Sequence, residues 1–182
     1  YDMTIGRAVS IAKNKTGQTQ NKLPYVLLGD PALRLNYPTD YQIQTITQLD
    51  TIRALSVQTV EGYIMTSTGD TAHWFNGPMD ITIWDKMQQS ITRDNDEPKE
   101  ANKVKIPFNN YPNTLFAGQT IVENGTFSYT FMVPKDIRYN YGNGRIAYYA
   151  YDKESGEEGI GYCEDFVVGG SSTLEIIDTI GP

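Results

Sequence analysis

Cysteine and histidine are each present only once in this 182-residue chain, as Cys163 and His73. A single cysteine excludes an intrachain disulfide. No apolar run approaches the roughly 20 residues that a membrane-spanning helix needs. The first residues, Tyr1–Thr4, have neither the basic start nor the apolar stretch of a secretory signal. No leader is therefore expected in this stretch, and a fragment of a secreted protein would lack one in any case.

Basic residues become scarce after the first 38 positions. Residues 1–38 contain five basic and two acidic residues, a net charge of +3, whereas the whole chain carries −7. Residues 39–182 therefore carry −10. Such a surface repels phosphate backbones, and binding to nucleic acid normally begins with phosphate neutralisation. The charge distribution excludes a nucleic-acid partner and indicates a solvated, soluble surface.

The first 38 residues have the pattern of an α/β protein. Ile5, Ala8, Val9 and Ala12 recur with helical spacing, and Gly17 is a plausible end of that helix. The apolar run in Pro24–Gly29 then predicts a short strand. A strand without alternation belongs to a sheet that is covered on both faces. Because nothing else in the chain supplies that sheet, residues 1–38 are predicted to be a helix–strand remnant of an α/β domain.

From residue 39 onward the apolar positions alternate, as half-buried strands require. Asn124-Gly125 separates two such runs and favours a type I′ hairpin turn. The polar stretch 88–102 is interpreted as an excursion between strands, and 169–172 as the start of a linker. The pattern predicts a mainly β fold, an immunoglobulin-like sandwich of seven or eight strands over 39–170, with residues 171–182 leading into a following domain. The predicted strands include 55–65, 79–84, 115–122, 126–133, 146–151 and 162–168.

Several segments together resemble the gingipain-like cysteine peptidases, in particular the cell-surface sortases of the type IX secretion system. Pro24–Leu35 is similar to the closing strand of their catalytic domain, which implies that residues 1–38 are a helix–strand remnant of an α/β, caspase-like domain. The later segments are similar to the region that follows that domain. The resemblance covers nearly the whole chain except residues 88–102. The later segments are Asn113–Gly118, Asn124–Phe127, Val133–Ile137, Tyr141–Asp152 and Asp178–Pro182.

The resemblance implies a larger bacterial protein, located at the outer membrane or cell surface, that removes C-terminal sorting domains from secreted cargo. The catalytic histidine and cysteine of that family lie upstream of the closing strand, so this chain is expected to contain no catalytic residue, cofactor or metal. Its expected partners are the upstream peptidase domain, the downstream β-domain, and through them cargo sorting domains and other secretion components. Structural support is the predicted role; recognition of cargo or of a surface glycan by the sandwich is the alternative.

Three groups of residues are chemical candidates. His73 and Cys163 would form a nucleophile–base pair only if the fold brought them within hydrogen-bond distance, and a loop histidine with a structural strand cysteine is the favoured interpretation. The acidic residues Asp152, Glu154, Glu157 and Glu158 offer oxygen ligands of the kind that Ca²⁺ prefers. Their spacing matches no known calcium loop, however, which favours a solvated hairpin.

The third group is aromatic. Tyrosine is abundant, with 13 residues, and rings on one sheet face would form a stacking platform. Tyr149 and Tyr151 are separated by two positions and therefore share a face; with Trp84 they are the candidate binding surface. The alternative is that such rings serve only as cross-strand pairs that stabilise the sheet.

Overall fold

The computed structural model describes residues 3–17, 24–35, 40–93 and 105–172. The chain divides into two compact units, Tyr1–Pro38 and Thr39–Pro182. Among the described residues, no helix has the length and apolar character to cross a membrane.

The first unit contains the predicted helix, α1, over Ile5–Lys15. Thr4 caps its N-terminus by accepting a hydrogen bond from the backbone N–H of Arg7. Lys13 and Lys15 lie in the last turn, where cations interact favourably with the helix dipole. The helix therefore begins and ends at residues that suit its termini.

The predicted strand over Pro24–Gly29 is not formed. The segment that follows it is instead tied to the start of α1, since Ile5 N–H donates to the carbonyl of Leu33 at 2.8 Å and Gly6 N–H donates to that of Pro31 at 3.0 Å. A strand needs a neighbouring strand to bond with, and the described part of this unit offers only an isolated bridge between Thr4 and Arg34. The segment is apolar, as a buried strand would be, but the described part of this unit contains no sheet in which it could pair.

The second unit is mainly β and sandwich-like, which confirms the predicted fold class. Its strands are β1 Tyr41–Thr45, β2 Thr51–Ala54, β3 Val57–Thr66, β4 Gly77–Trp84, β5 Gln88–Ile91, β6 Pro107–Asn110, β7 Thr114–Val122, β8 Thr126–Met132, β9 Gly142–Asn143, β10 Arg145–Tyr151, β11 Glu158–Cys163 and β12 Val167–Ser171. The largest sheet has seven strands in the order β7-β4-β10-β11-β1-β3-β8. Two smaller sheets have the orders β2-β12-β9 and β5-β6.

The Asn124–Gly125 turn closes the large sheet by joining β7 to β8, its two outermost strands. Asn124 and Gly125 have φ values of 50° and 73°, the positive values that a type I′ turn requires. The sheet curls so that its two ends meet, and Phe116 of β7 lies 5.4 Å from Phe131 of β8 between ring centroids. The predicted type I′ turn is confirmed, but among the described residues the bridge across it joins only Glu123 and Thr126, because β7 pairs with β4 and β8 pairs with β3.

The core lies on the inner face of the curled sheet. Burial alternates strictly along β8 and β10, so the outward-facing residues of both strands form a second, solvent-facing surface. The fully buried aliphatic residues of the large sheet include Val60, Ile64, Met79, Ile81, Ile83 and Ile146.

Three boundaries differ from the sequence-based expectation. Gln88–Ile91 is a strand paired with Pro107–Asn110, not an excursion, whereas residues 94–104 lie outside the described part of the chain. The predicted strand 162–168 is two strands, β11 and β12, that belong to different sheets. The predicted linker residues Gly169–Ser171 continue β12; residues 173–182 lie outside the described part.

Candidate functional site

Tyr149, Tyr151 and Trp84 all lie on the outer face of the seven-stranded sheet. In β10 every second side chain is buried, and the tyrosines occupy the alternate positions with 39% and 37% of their surface exposed. Trp84 is the last residue of β4 and alternates in the same way with its buried neighbours. The expectation that Tyr149 and Tyr151 share a face agrees with the alternation of β10.

The three residues do not form one continuous platform. Trp84 pairs with Arg145 at the start of β10, whereas Tyr149 pairs with Asp80. Four strand residues, about 13 Å, therefore separate Trp84 from the position opposite Tyr149. The structure brings the two tyrosines together and places the tryptophan at another part of the face.

The ring of Tyr149 is oriented by a carboxylate on the next strand. Its hydroxyl donates to Oε1 of Glu158 at 2.8 Å. Glu158 pairs with Tyr151, two positions along β10, so the tyrosine side chain must lean diagonally across the sheet to reach it. The hydrogen bond to Glu158, together with partial burial and the nearby charge of Asp80, raises the pKa of Tyr149. The hydroxyl group therefore stays protonated, and its hydrogen bond to Glu158 fixes the direction of the side chain.

A second carboxylate lies on the other side of Tyr149. Asp80 of β4 is directly opposite Tyr149 in the ladder and is exposed. Its Oδ1 accepts from Nε2 of Gln119 on β7 at 2.9 Å, which orients the carboxylate. Directly opposed residues in an antiparallel pair have Cβ atoms about 5 Å apart. Tyr149 thus lies between two oriented carboxylates.

Tyr162 extends this surface and was not singled out from the sequence. It lies on β11 opposite Ala147, and 72% of its surface is exposed. The two glycines of Glu158–Cys163 hide the alternation that would have marked this segment as a strand with an outward tyrosine.

An arginine, a tyrosine and a glutamate form a further cluster on the same side of the fold. The guanidinium carbon of Arg145 lies 4.5 Å from the ring centroid of Tyr111. Arg145 also forms an ion pair with Glu164, to which the Tyr111 hydroxyl donates at 3.3 Å. The bond to Glu164 raises the pKa of the Arg145 guanidinium. The sequence alone does not reveal this cluster, because its members come together only through the strand register.

His73 and Cys163 lie at opposite ends of β11. Trp74, the residue after His73, donates from its indole nitrogen to Glu157 at 3.2 Å, and Glu157 immediately precedes β11. Cys163 is the last residue of that strand and packs against the core. Six residues of extended chain span about 20 Å. The two side chains therefore form no nucleophile–base pair in this fold.

The acidic hairpin directs its carboxylates to different partners. Asp152 is buried; its Oδ1 accepts from the N–H groups of Glu154 and Ser155, and its Oδ2 accepts from that of Asn76. Burial acts to raise the pKa of Asp152, but these three hydrogen bonds outweigh it and lower the pKa. Within the described ranges no group of three or more His, Cys, Asp or Glu residues is placed to hold a metal ion. Asp152 stabilises the turn.

No family model and no curated protein matches the chain, but solved structures do. Dimeric latent PorU from Porphyromonas gingivalis superposes on 97% of this chain with a TM-score of 0.65 and 24% identity. The chain shares its fold with a segment of PorU. That segment is 17% of the PorU chain, so the comparison concerns the fold of one part of a larger protein. The sporulation control protein Spo0M from Bacillus subtilis covers 72% of this chain and matches over 50% of its own, with 13% identity and a TM-score of 0.43, which is too low to support an argument.

Proposed function

We propose that this chain is a non-catalytic support domain of a secreted, PorU-like sortase that cleaves C-terminal sorting domains from cargo of the type IX secretion system. The observation that carries the proposal is the fold shared with PorU along 97% of the chain. In this role the sandwich positions the peptidase domain relative to the domains that follow.

The first unit is consistent with such a role. Val26 and Leu28 expose 72% and 92% of their surface, and burying large aliphatic side chains contributes about 1.5–3 kcal/mol each. An upstream peptidase domain would supply that burial. The proposal therefore includes the upstream peptidase domain and a downstream β-domain as partners, and the outer membrane or cell surface as the location.

The proposal is tested in the full-length protein that contains this chain, by following removal of the sorting domain from a secreted cargo as a change in cargo mass. Cys163→Ala should leave cleavage unchanged, because Cys163 is only partly buried and forms no nucleophile–base pair with His73. Gly62→Val should unfold the sandwich and lower cleavage, since a Cβ at Gly62 would lie 2.2 Å from the carbonyl oxygen of Gln44.

Gly17→Ala is the control for a glycine change, because its Cβ would meet no atom of the described residues within 4 Å. Loss of cleavage in a folded Cys163→Ala protein would contradict the non-catalytic role. Full cleavage by a Gly62→Val protein whose sandwich is degraded by a probe protease would contradict the support role.

The second candidate function is recognition of cargo or of a surface glycan by the sandwich itself. The exposed tyrosines of β10 and β11 favour it, because tyrosine combines a flat apolar face with a polar group. In this second function, recognition would use the outer face of the seven-stranded sheet.

A further inference from the structure

The outer face of the sheet presents one tyrosine ring in a defined orientation. Tyr149 leans toward β11 so that its hydroxyl reaches Glu158, which fixes the direction of the side chain. With 39% of its surface exposed, the residue remains accessible to a ligand. Such a ring offers its negative π-face to a ligand.

An oriented carboxylate accompanies this ring face. Asp80 lies directly opposite Tyr149, and Gln119 holds one of its oxygens at 2.9 Å. A carboxylate has about four acceptor positions, of which the amide of Gln119 uses one. Ring face and carboxylate are thus neighbours on adjacent strands and both point outward.

The chain itself shows what such a pair binds. In the Tyr111 cluster the guanidinium of Arg145 lies 4.5 Å from the tyrosine ring centroid and is paired with the carboxylate of Glu164. The guanidinium is satisfied there by a ring face and a carboxylate together, the combination to which arginine is best suited. Tyr149 and Asp80 supply the same two groups on the outer face of the sheet.

We propose that Tyr149 and Asp80 bind an arginine side chain of a partner polypeptide. The ring of Tyr149 stacks on the guanidinium, and the carboxylate of Asp80 accepts its N–H groups. This inference specifies the partner chemistry of the second candidate function and rests on it. The support role does not depend on it.

Charge selects the partner over other ligand classes. Residues 39–182 carry −10, and Glu158 adds a carboxylate beside Tyr149. This field attracts a basic segment and repels anionic sugars and phosphates. The exposed rings of Tyr151 and Tyr162 provide apolar contact for the residues that flank the arginine. Lysine fits less well, because its ammonium group cannot stack in a plane on the ring.

The test is a titration of the ¹⁵N-labelled chain with the peptide acetyl-Gly-Arg-Gly-Arg-Gly-amide at low salt. The amide resonances of Asp80, Gln119, Tyr149 and Glu158 should shift and saturate. A peptide with citrulline at both arginine positions keeps the shape and removes the charge, and it should cause no saturating shift. Higher salt should weaken the arginine peptide, since exposed charges are screened.

Two variants locate the site. Tyr149→Leu should weaken binding about threefold or more, as expected for loss of an exposed cation–π contact, and Asp80→Asn should weaken it while keeping the side-chain shape. Tyr139→Leu is the matched control, because Tyr139 is also exposed but lies off this face. It should bind as the unchanged chain does. Unchanged dispersion of the remaining resonances verifies the fold of each variant.

The proposal is overturned by an absence of shifts at millimolar peptide, or by equal shifts from the citrulline peptide. It is also overturned if Tyr149→Leu binds as tightly as the control, which would mean diffuse attraction to an acidic surface. Saturating shifts of the same amides with maltohexaose, and none with the arginine peptide, would replace it by carbohydrate binding. The support role would stand in all these cases, because cargo cleavage by the full-length protein tests it separately.

Discussion

Lys86 donates from its Nζ to Oδ1 of Asp85, the residue immediately before it, at 2.7 Å, and both side chains are buried. The same ammonium donates to the backbone carbonyl of Arg138 at 2.8 Å. This ion pair joins the end of β4 to the segment before β9. Because neither group reaches solvent, each depends on the other for compensation of its charge.

Lys86→Met should therefore destabilise the chain by about 3–5 kcal/mol, since it leaves the carboxylate of Asp85 buried without its cation. The double variant Asp85→Leu with Lys86→Met should lose less than the single variant. Urea denaturation at pH 7 measures both. A single variant that loses under about 1 kcal/mol would show that the pair is open to water.

Tyr148→Phe should cost more stability than Tyr129→Phe. The Tyr148 hydroxyl lies 3.3 Å from that of Tyr129 and 2.9 Å from Oγ1 of Thr45. Removing it leaves the buried Tyr129 hydroxyl without its partner among the described residues, at a cost of about 1–3 kcal/mol. Removing the Tyr129 hydroxyl leaves Tyr148 bonded to Thr45, and the loss should stay near 1 kcal/mol. Equal midpoints in urea for the two variants would contradict this order.

Asp152 should make stability depend on acid pH. Its pKa is lowered from 3.8 in the folded chain, so its contribution is complete above about pH 4 and is lost as the pH falls through the lower folded value. Asp152→Asn removes the titrating group but keeps an acceptor oxygen. The difference in unfolding free energy between the two proteins should narrow from pH 7 to pH 3 in urea denaturation. If the difference in unfolding free energy stays constant from pH 7 to pH 3, the lower stability of Asp152→Asn comes from altered packing and not from the charge of Asp152.

Gly125→Ala should destabilise more than Gly156→Ala. Both glycines have similar positive φ values, 73° and 74°, so both substitutions carry backbone strain of about 1 kcal/mol. A Cβ at Gly125 would also lie 2.3 Å from the carbonyl oxygen of Ala72, whereas a Cβ at Gly156 would meet no atom of the described residues within 4 Å. Thermal unfolding midpoints compare the two variants. Equal midpoints for the two variants would contradict this expectation and would show that the backbone around Ala72 moves away from the added Cβ without a loss of stability.

The strands found from the sequence are those whose alternation is regular and whose side chains are large. β8 and β10 are examples, with aromatic residues at their buried positions. β5 was missed because its sequence, Gln88–Ile91, is mostly polar, and β11 because its glycines interrupt the pattern. The strand predicted over Pro24–Gly29 is not formed, for a different reason. An apolar run indicates that a segment is to be buried, but it does not show that a neighbouring strand is present to pair with it.

The candidate site was predictable only as far as one strand determines it. The two-residue spacing of Tyr149 and Tyr151 places both on one face whatever their neighbours are. The position of Asp80 opposite Tyr149, and the separation of Trp84 from both tyrosines, depend on the pairing of β4 with β10. These two strands lie about 60 residues apart in the chain. Their register is determined by packing of the whole sheet and cannot be derived from the sequence of either strand.

The placement of β11 between β10 and β1 also constrains when this fold can form. Among the strands of the described residues β11 is the last but one, yet it connects the half-sheet β7-β4-β10 with the half-sheet β1-β3-β8. A nascent or translocating chain that has not yet delivered Glu158–Cys163 therefore holds two half-sheets with open central edges. Those edges are templates for pairing with other chains. A chaperone or a neighbouring domain that shields them until residue 163 arrives would protect the protein from aggregation at the stage when it is most exposed.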